Sequence, residues 1–159
     1  MASKWILLLP VVVLLTVSQV EGQTAPAPAP VVNTVNTTFT ESDFVFTKCF
    51  PFGSTFANES GMLVAGIGEP YFNNGTACGS VINVQCVTDA DHPWDNSTCI
   101  AGSVNVTIVD KCEDKPPCLN LHLNAFQIIA TRNISGFIVS DFFEVSPGTG
   151  IDWTPPAQG

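Results

Sequence analysis

Hydrophobic and polar positions alternate along three stretches of this chain, and each stretch predicts a β-strand. From Val81 to Val87, residues Ile82, Val84 and Cys86 fall on one side, and Val81, Asn83, Gln85 and Val87 on the other. From Ser103 to Asp110 the pattern is stronger. Val104, Val106 and Ile108 share one face, while Asn105, Thr107 and Val109 share the opposite one. From Phe137 to Val145, residues Ile138, Ser140, Phe142 and Glu144 oppose Phe137, Val139, Asp141, Phe143 and Val145. Met62 to Gly66 adds a short buried strand. One stretch changes period. Leu121 to Ala130 carries Leu121, Ala125, Ile128 and Ile129 at helical spacing, with Phe126 beside them. Asn120 or His122 is placed to cap this helix, and Gly136 closes the loop behind it. Short strands, Gly-rich turns and a single helix predict a small β-barrel with one helix packed against it.

The two ends of the chain break this pattern. An apolar run from Trp5 to Val17 follows Lys4, and Val20 and Gly22 stand where a signal peptidase requires small residues. Residues 1–22 therefore read as a secretory signal peptide. The run is shorter than the roughly 20 apolar residues of a membrane span, and no membrane span is expected elsewhere. Residues 23–36 read as a Pro/Ala-rich linker, stiff and extended, with Ala and Pro alternating from Thr24 to Pro30. The folded barrel is expected over 37–147. Residues 148–159, with Thr154-Pro155-Pro156, read as a flexible tail.

Charge narrows the function. The formal net charge is −9. Lys4 and Glu21 are the charged residues of the leader, so the rest stays strongly acidic. Phosphate backbones and anionic lipid surfaces repel such a chain, so no nucleic-acid partner is expected. The six cysteines, Cys49, Cys78, Cys86, Cys99, Cys112 and Cys118, all follow the leader. An even count in an exported chain reads as three disulfides, whose pairing spacing alone does not choose. His92 and His122 are the two histidines, and no paired CxxC exists, so neither a metal site nor a cofactor is expected. Sequons stand at Asn36, Asn58, Asn74, Asn96, Asn105 and Asn133. Asn105 falls on the polar face of its strand, where a glycan is tolerable.

Five segments then carry a specific resemblance. Phe72-Asn73-Asn74-Gly75-Thr76-Ala77-Cys78-Gly79, the strand Val81 to Cys86, and Ser103 to Cys112 with its Val109-Asp110-Lys111-Cys112 ending follow one another in order. Leu119 to Ala130 and Gly136 to Val145 complete the series. In sequence and spacing these resemble the plant natriuretic peptide family, also described as expansin-like or family-45-endoglucanase-like domain proteins. The resemblance spans about Thr37 to Val145. It implies a mainly β fold: a six-stranded double-psi β-barrel with one short helix, three disulfides and an open groove across one face. It also implies local pairing of the cysteines, Cys49 with Cys78, Cys86 with Cys99 and Cys112 with Cys118.

The related hydrolases set two carboxylates across that groove, one protonating the leaving oxygen and one activating water. The resemblance puts the acid position at Asn120, and an amide has no proton to give as a general acid. The base belongs to an aromatic strand that resembles Thr38-Phe39-Thr40-Glu41. Phe39 and Thr40 stand where the family often carries tyrosine or tryptophan, and Glu41 does not sit on a motif position. Asp110 matches the family. It is either a ligand-contacting carboxylate or a turn residue capping nearby amides. Trp94 lies in a loop and is placed to stack on a sugar. Phe39, Phe44, Phe46, Phe72, Phe126 and Phe142 are expected in the core or over its ends, and Phe50 and Phe52 along the groove. His92 and His122 are expected at the surface.

The groove candidates are thus Asp110, Asn120, Phe39, Thr40 and Trp94, with no catalytic residue. The chain is expected to be a secreted, monomeric, non-enzymatic protein of the plant apoplast and cell wall. Its expected partner is a cell-wall polysaccharide or a cell-surface receptor. A glycan-cleaving enzyme and a non-hydrolytic wall-loosening factor are the competing readings. A carrier for hydrophobic ligands fits poorly, because small barrels are filled by their own side chains.

Overall fold

The computed structural model of the chain describes residues 29–93, 97–113, 117–131 and 137–150. The expected leader, Trp94, the sequons at Asn96 and Asn133, and Gly136 lie outside these. Six strands form the core: β1 (Asn33–Thr40), β2 (Val64–Ile67), β3 (Val81–Asp89), β4 (Val104–Lys111), β5 (Cys118–His122) and β6 (Ile138–Ser146). They close into a ring in the order β1-β5-β2-β4-β3-β6. Two of the pairings are parallel, β1 with β5 and β2 with β4. The mainly β barrel of six strands is borne out.

The predicted alternation accounts for β3 and β6. Ile82, Val84 and Cys86 are buried along β3, and Ile138, Ser140 and Phe142 along β6. The inside of the ring is filled by Val64, Val84, Val106, Ile108, Leu119, Leu121 and Ile138, each at most 1% exposed. Side chains of this kind fill the interior of a small barrel.

In β4 the expected two-faced pattern fails at one residue. Val109 is as buried as Ile108. The register with β2 explains it: Ala65 pairs with Ile108 and Gly66 with Asp110, so Val109 is an extra residue in a bulge. A bulge resets the alternation. Val109 turns inward beside Ile108, and Asp110 turns out.

The expected helix is shorter than Leu121 to Ala130. Cys118–His122 is strand β5, and the helix α2 spans Leu123–Ile129. Leu119 and Leu121 belong to a period-two pattern that closes the ring between β1 and β2. His122 is the helix N-cap, its Nδ1 accepting from the Asn124 N–H at 3.1 Å. Ala125, Phe126 and Ile129 pack inward, while Ile128 is exposed, against expectation. A helix of two turns buries one stripe, and Ile128 lies off it. A four-residue helix, α1 (Phe56–Glu59), and a 3-10 turn, Asn73–Gly75, add to the one helix expected.

The disulfides pair Cys49 with Cys78, Cys86 with Cys99 and Cys112 with Cys118, as the resemblance implies. Strand β1 begins at Asn33, ahead of the expected start at Thr37. Its first residues pair with β6, Asn33 opposite Phe142 and Val35 opposite Ser140, so hydrogen bonding claims part of the expected linker. The expected tail also starts as packed chain. The Thr149 N–H donates to the Cys78 carbonyl at 3.0 Å. A Cβ at Gly148 would lie 2.5 Å from that same oxygen, so only glycine passes there.

Candidate functional site

One row of residues crosses four neighbouring strands. Thr38 of β1 pairs with Asn120 of β5, Asn120 with Gly66 of β2, and Gly66 with Asp110 of β4. Gly66, between Asn120 and Asp110, is buried and carries no side chain. Two strand spacings separate them, about 10 Å between backbones. Two members of the row, Asp110 and Asn120, line a groove of about 560 Å³ together with Phe46, Thr47, Lys48, Pro51, Lys111, Cys112 and Glu113.

Each floor residue is held differently. Asn120 Oδ1 accepts from the Thr38 hydroxyl at 3.3 Å. Asp110 Oδ1 accepts from the Lys48 N–H at 2.8 Å. That bond ties the loop before Cys49 to the end of β4. Asp110 therefore holds a backbone amide and also lines the groove. Lys48 and Lys111 are the cations among the described residues, and both stand on this groove. Each has an acidic neighbour, Glu113 at 3.6 Å from Lys48 and Glu69 at 3.7 Å from Lys111. Exposed pairs of this kind contribute little stability, but they leave the groove with no net positive field.

The other sequence candidates divide. Phe39 packs against Phe126 with ring centroids 4.9 Å apart. Thr40 accepts from the Ser42 N–H at 3.1 Å. Neither lines the groove, and Trp94 lies outside the described residues. Two phenylalanines exchange their expected places. Phe46 is 77% exposed on the groove rim, whereas Phe50 is buried beside Phe56. Phe44 explains the exchange. It takes a buried position at positive φ, with its ring 6.4 Å from that of His122, and so turns Phe46 out. Phe52 is exposed but lies off the groove. Phe72, Phe126 and Phe142 are buried as expected. Asn36, Asn58, Asn74 and Asn105 are exposed.

His122 is buried rather than at the surface, because its ring closes the start of α2. Burial pushes its imidazole below the ordinary value, against the opposing charge of Glu41. His92 is exposed. Asp89, which the sequence does not single out, is a second held carboxylate. Its Oδ1 accepts from the Asp91 N–H at 2.9 Å and the His92 N–H at 3.2 Å, and its Oδ2 from the Thr98 hydroxyl at 3.0 Å. Burial acts to raise it. The hydrogen bonds and the nearby His92 outweigh that and hold it below the ordinary carboxylate value. Among the described residues no group of three or more His, Cys, Asp or Glu could hold a metal. No described helix is long and apolar enough to cross a membrane.

The sequence profile of the lytic transglycolase family matches residues 64–140, from β2 into β6. The EG45-like domain containing protein 2 of Arabidopsis thaliana is 36% identical over 74 residues, which cover 45% of this chain. The chain is thus similar to expansin-like, EG45-like proteins. It spans about half of that relative, 54% of its length. Among solved structures, the apo expansin of Clavibacter michiganensis superposes with a TM-score of 0.54 at 18% identity. The match covers 79% of this chain and 54% of the expansin. An aspartate-to-asparagine variant of that expansin in complex with cellohexaose matches equally, with a TM-score of 0.54 at 18% identity, over 80% and 54%. At this identity the likeness concerns the fold, and it makes the closed ring an expansin-like double-psi β-barrel with three disulfides.

Proposed function

We propose that this EG45-like protein binds a cell-wall polysaccharide in its groove without cleaving it, outside the plant cell. The observation that carries this reading is the groove floor. On its strands it offers one carboxylate, Asp110, and an amide, Asn120; the lining's other carboxylate, Glu113, stands beside Lys48. Hydrolysis of a glycosidic bond by the two-carboxylate route needs an acid to protonate the leaving oxygen and a second carboxylate for the water or the sugar. Asn120 has no proton of suitable acidity. What remains is a polar cleft whose hydrogen-bonding groups, Asn120, Thr47 and Asp110, suit sugar hydroxyls. The cellohexaose held by the bacterial expansin variant supports a glucan as ligand. Secretion by the residues 1–22 leader, glycosylation at the sequons, and a role as monomeric wall-associated or receptor-binding signal belong to the same proposal.

A second reading follows from the description of the matching family profile as lytic transglycolase, under which the protein cleaves glycans. One assay separates the two. The purified protein is incubated with soluble glucans and the new reducing ends are measured. The first reading expects binding to glucan and no new ends. Turnover by the unaltered protein would overturn it in favour of the second.

A further inference from the structure

We propose that Phe46 is the sugar-stacking platform of the groove, held in place by the turn beneath it. The inference rests on the glycan-binding reading above and names the residue that supplies its apolar contact. A phenyl ring left 77% exposed on a cleft rim has a face open to solvent. The pyranose ring presents its axial C–H groups as a flat apolar face, which packs on an aromatic ring while its hydroxyls reach polar neighbours. Phe46 meets both needs, since it shares the groove with Asp110 and Asn120.

The ring is not a loose side chain. Gly53 lies directly under it. A Cβ there would sit 3.1 Å from the Phe46 ring, and Gly53 has a φ of +86°, which glycine adopts readily. The Ser54 N–H donates to the Val45 carbonyl at 2.8 Å, closing the loop on either side of the ring. Asp110 and the Cys49–Cys78 bridge fasten the same loop to the barrel. A ring carried on a loop fastened this way needs less ordering when a ligand arrives than one on a free loop, which favours binding. Because both groove lysines have carboxylates beside them, stacking and hydroxyl contacts rather than charge attraction carry the affinity.

Phe52 supplies the internal control. It is 97% exposed, more than Phe46, yet lies off the groove. Calorimetric titration of the purified protein with cellohexaose, and with xyloglucan and mannan oligomers, tests the assignment. Phe46→Ala is expected to weaken binding by about tenfold or more, as loss of one stacked ring does. Phe46→Trp is expected to keep or tighten it, and Phe52→Ala to match the unaltered protein. If the unaltered protein binds and Phe46→Ala binds equally well, the platform is overturned while the glycan reading stands. If Phe52→Ala loses as much as Phe46→Ala, the contact is unspecific apolar adhesion and the platform is again overturned. If the unaltered protein binds none of these oligomers, the glycan reading fails and the platform falls with it.

Discussion

Asp89 and Asp110 stand at the ends of neighbouring strands, β3 and β4, and in sequence they look alike. Their surroundings differ. Asp89 closes a small loop bridged by Cys86–Cys99. Both of its oxygens are taken, by two backbone amides and the buried Thr98 hydroxyl. Asp110 gives one oxygen to the Lys48 N–H, and among the described residues its other oxygen accepts no hydrogen bond. It stands half-exposed over a cleft beside an amide. The comparison teaches what marks a carboxylate as structural. Position at a strand end does not do so; exhausted hydrogen-bonding capacity does.

The largest effect expected is loss of the covalent part of the Asp89 loop. Cys86→Ala with Cys99→Ala should lower stability by about 2–4 kcal/mol, read from the urea midpoint. Glucan binding by the molecules that remain folded should be unchanged. A binding loss equal to that of a groove variant would erase the distinction between the two regions.

Next comes removal of the carboxylates themselves. Asp89→Ala strands two backbone amides and the Thr98 hydroxyl, which is 6% exposed. Asp110→Ala strands a single amide at an open site, costing about 0.5–1.5 kcal/mol. Asp89→Ala should therefore depress Tm more, and Asp110→Ala should depress glucan binding more. The reverse order in either measurement would mean that hydrogen-bond exhaustion is the wrong criterion.

Acid then sharpens the contrast further. Because the folded Asp89 carboxyl is held below its ordinary value, its contribution is complete above the unfolded value of about 3.9. It is lost as pH falls through the lower folded value. The Tm gap between the unaltered protein and Asp89→Ala should therefore narrow in strong acid. His122 works in a different window. Its folded value also lies below the ordinary 6.5, so the unfolded chain takes up the proton first. Its contribution is complete above about pH 6.5 and declines below it. Acidification from neutrality to about pH 5 should lower Tm less in His122→Asn than in the unaltered chain, since asparagine caps a helix without titrating.

Local periodicity was enough to read β3, β4 and β6, because each alternates long enough to show a period of two. It was not enough for β5. Five residues that run straight into a helix share Leu121 between both patterns, and closure of the ring decides between them. The bulge at Val109 is set by pairing with β2, which no local pattern encodes. Asp110 and Asn120 were legible as groove candidates through the family motifs, yet their juxtaposition across Gly66 is set by strand pairing, which no local pattern encodes. Phe46 and Phe50 were exchanged because a loop aromatic carries no period. The positive φ of Phe44 fixes which ring turns out. Asp89 escaped notice because Asp89-Ala90-Asp91-His92 reads as a plain polar turn; its link to Thr98 arises only once the Cys86–Cys99 loop folds back.

The smallest effect expected is also the most informative about the groove. Asn120→Asp keeps an oxygen to accept from the Thr38 hydroxyl, so the local hydrogen bond survives. It adds a charge about 10 Å from Asp110 across Gly66. In water that repulsion is about 0.4 kcal/mol. Stability should thus stay within about 0.5 kcal/mol of the unaltered protein, as read from the urea midpoint. A much larger loss would mean that the floor is drier than an open groove allows. Asn120 would then resemble Asp89, a residue whose environment is already complete, and Asp110 would be the only floor residue with capacity left for a ligand.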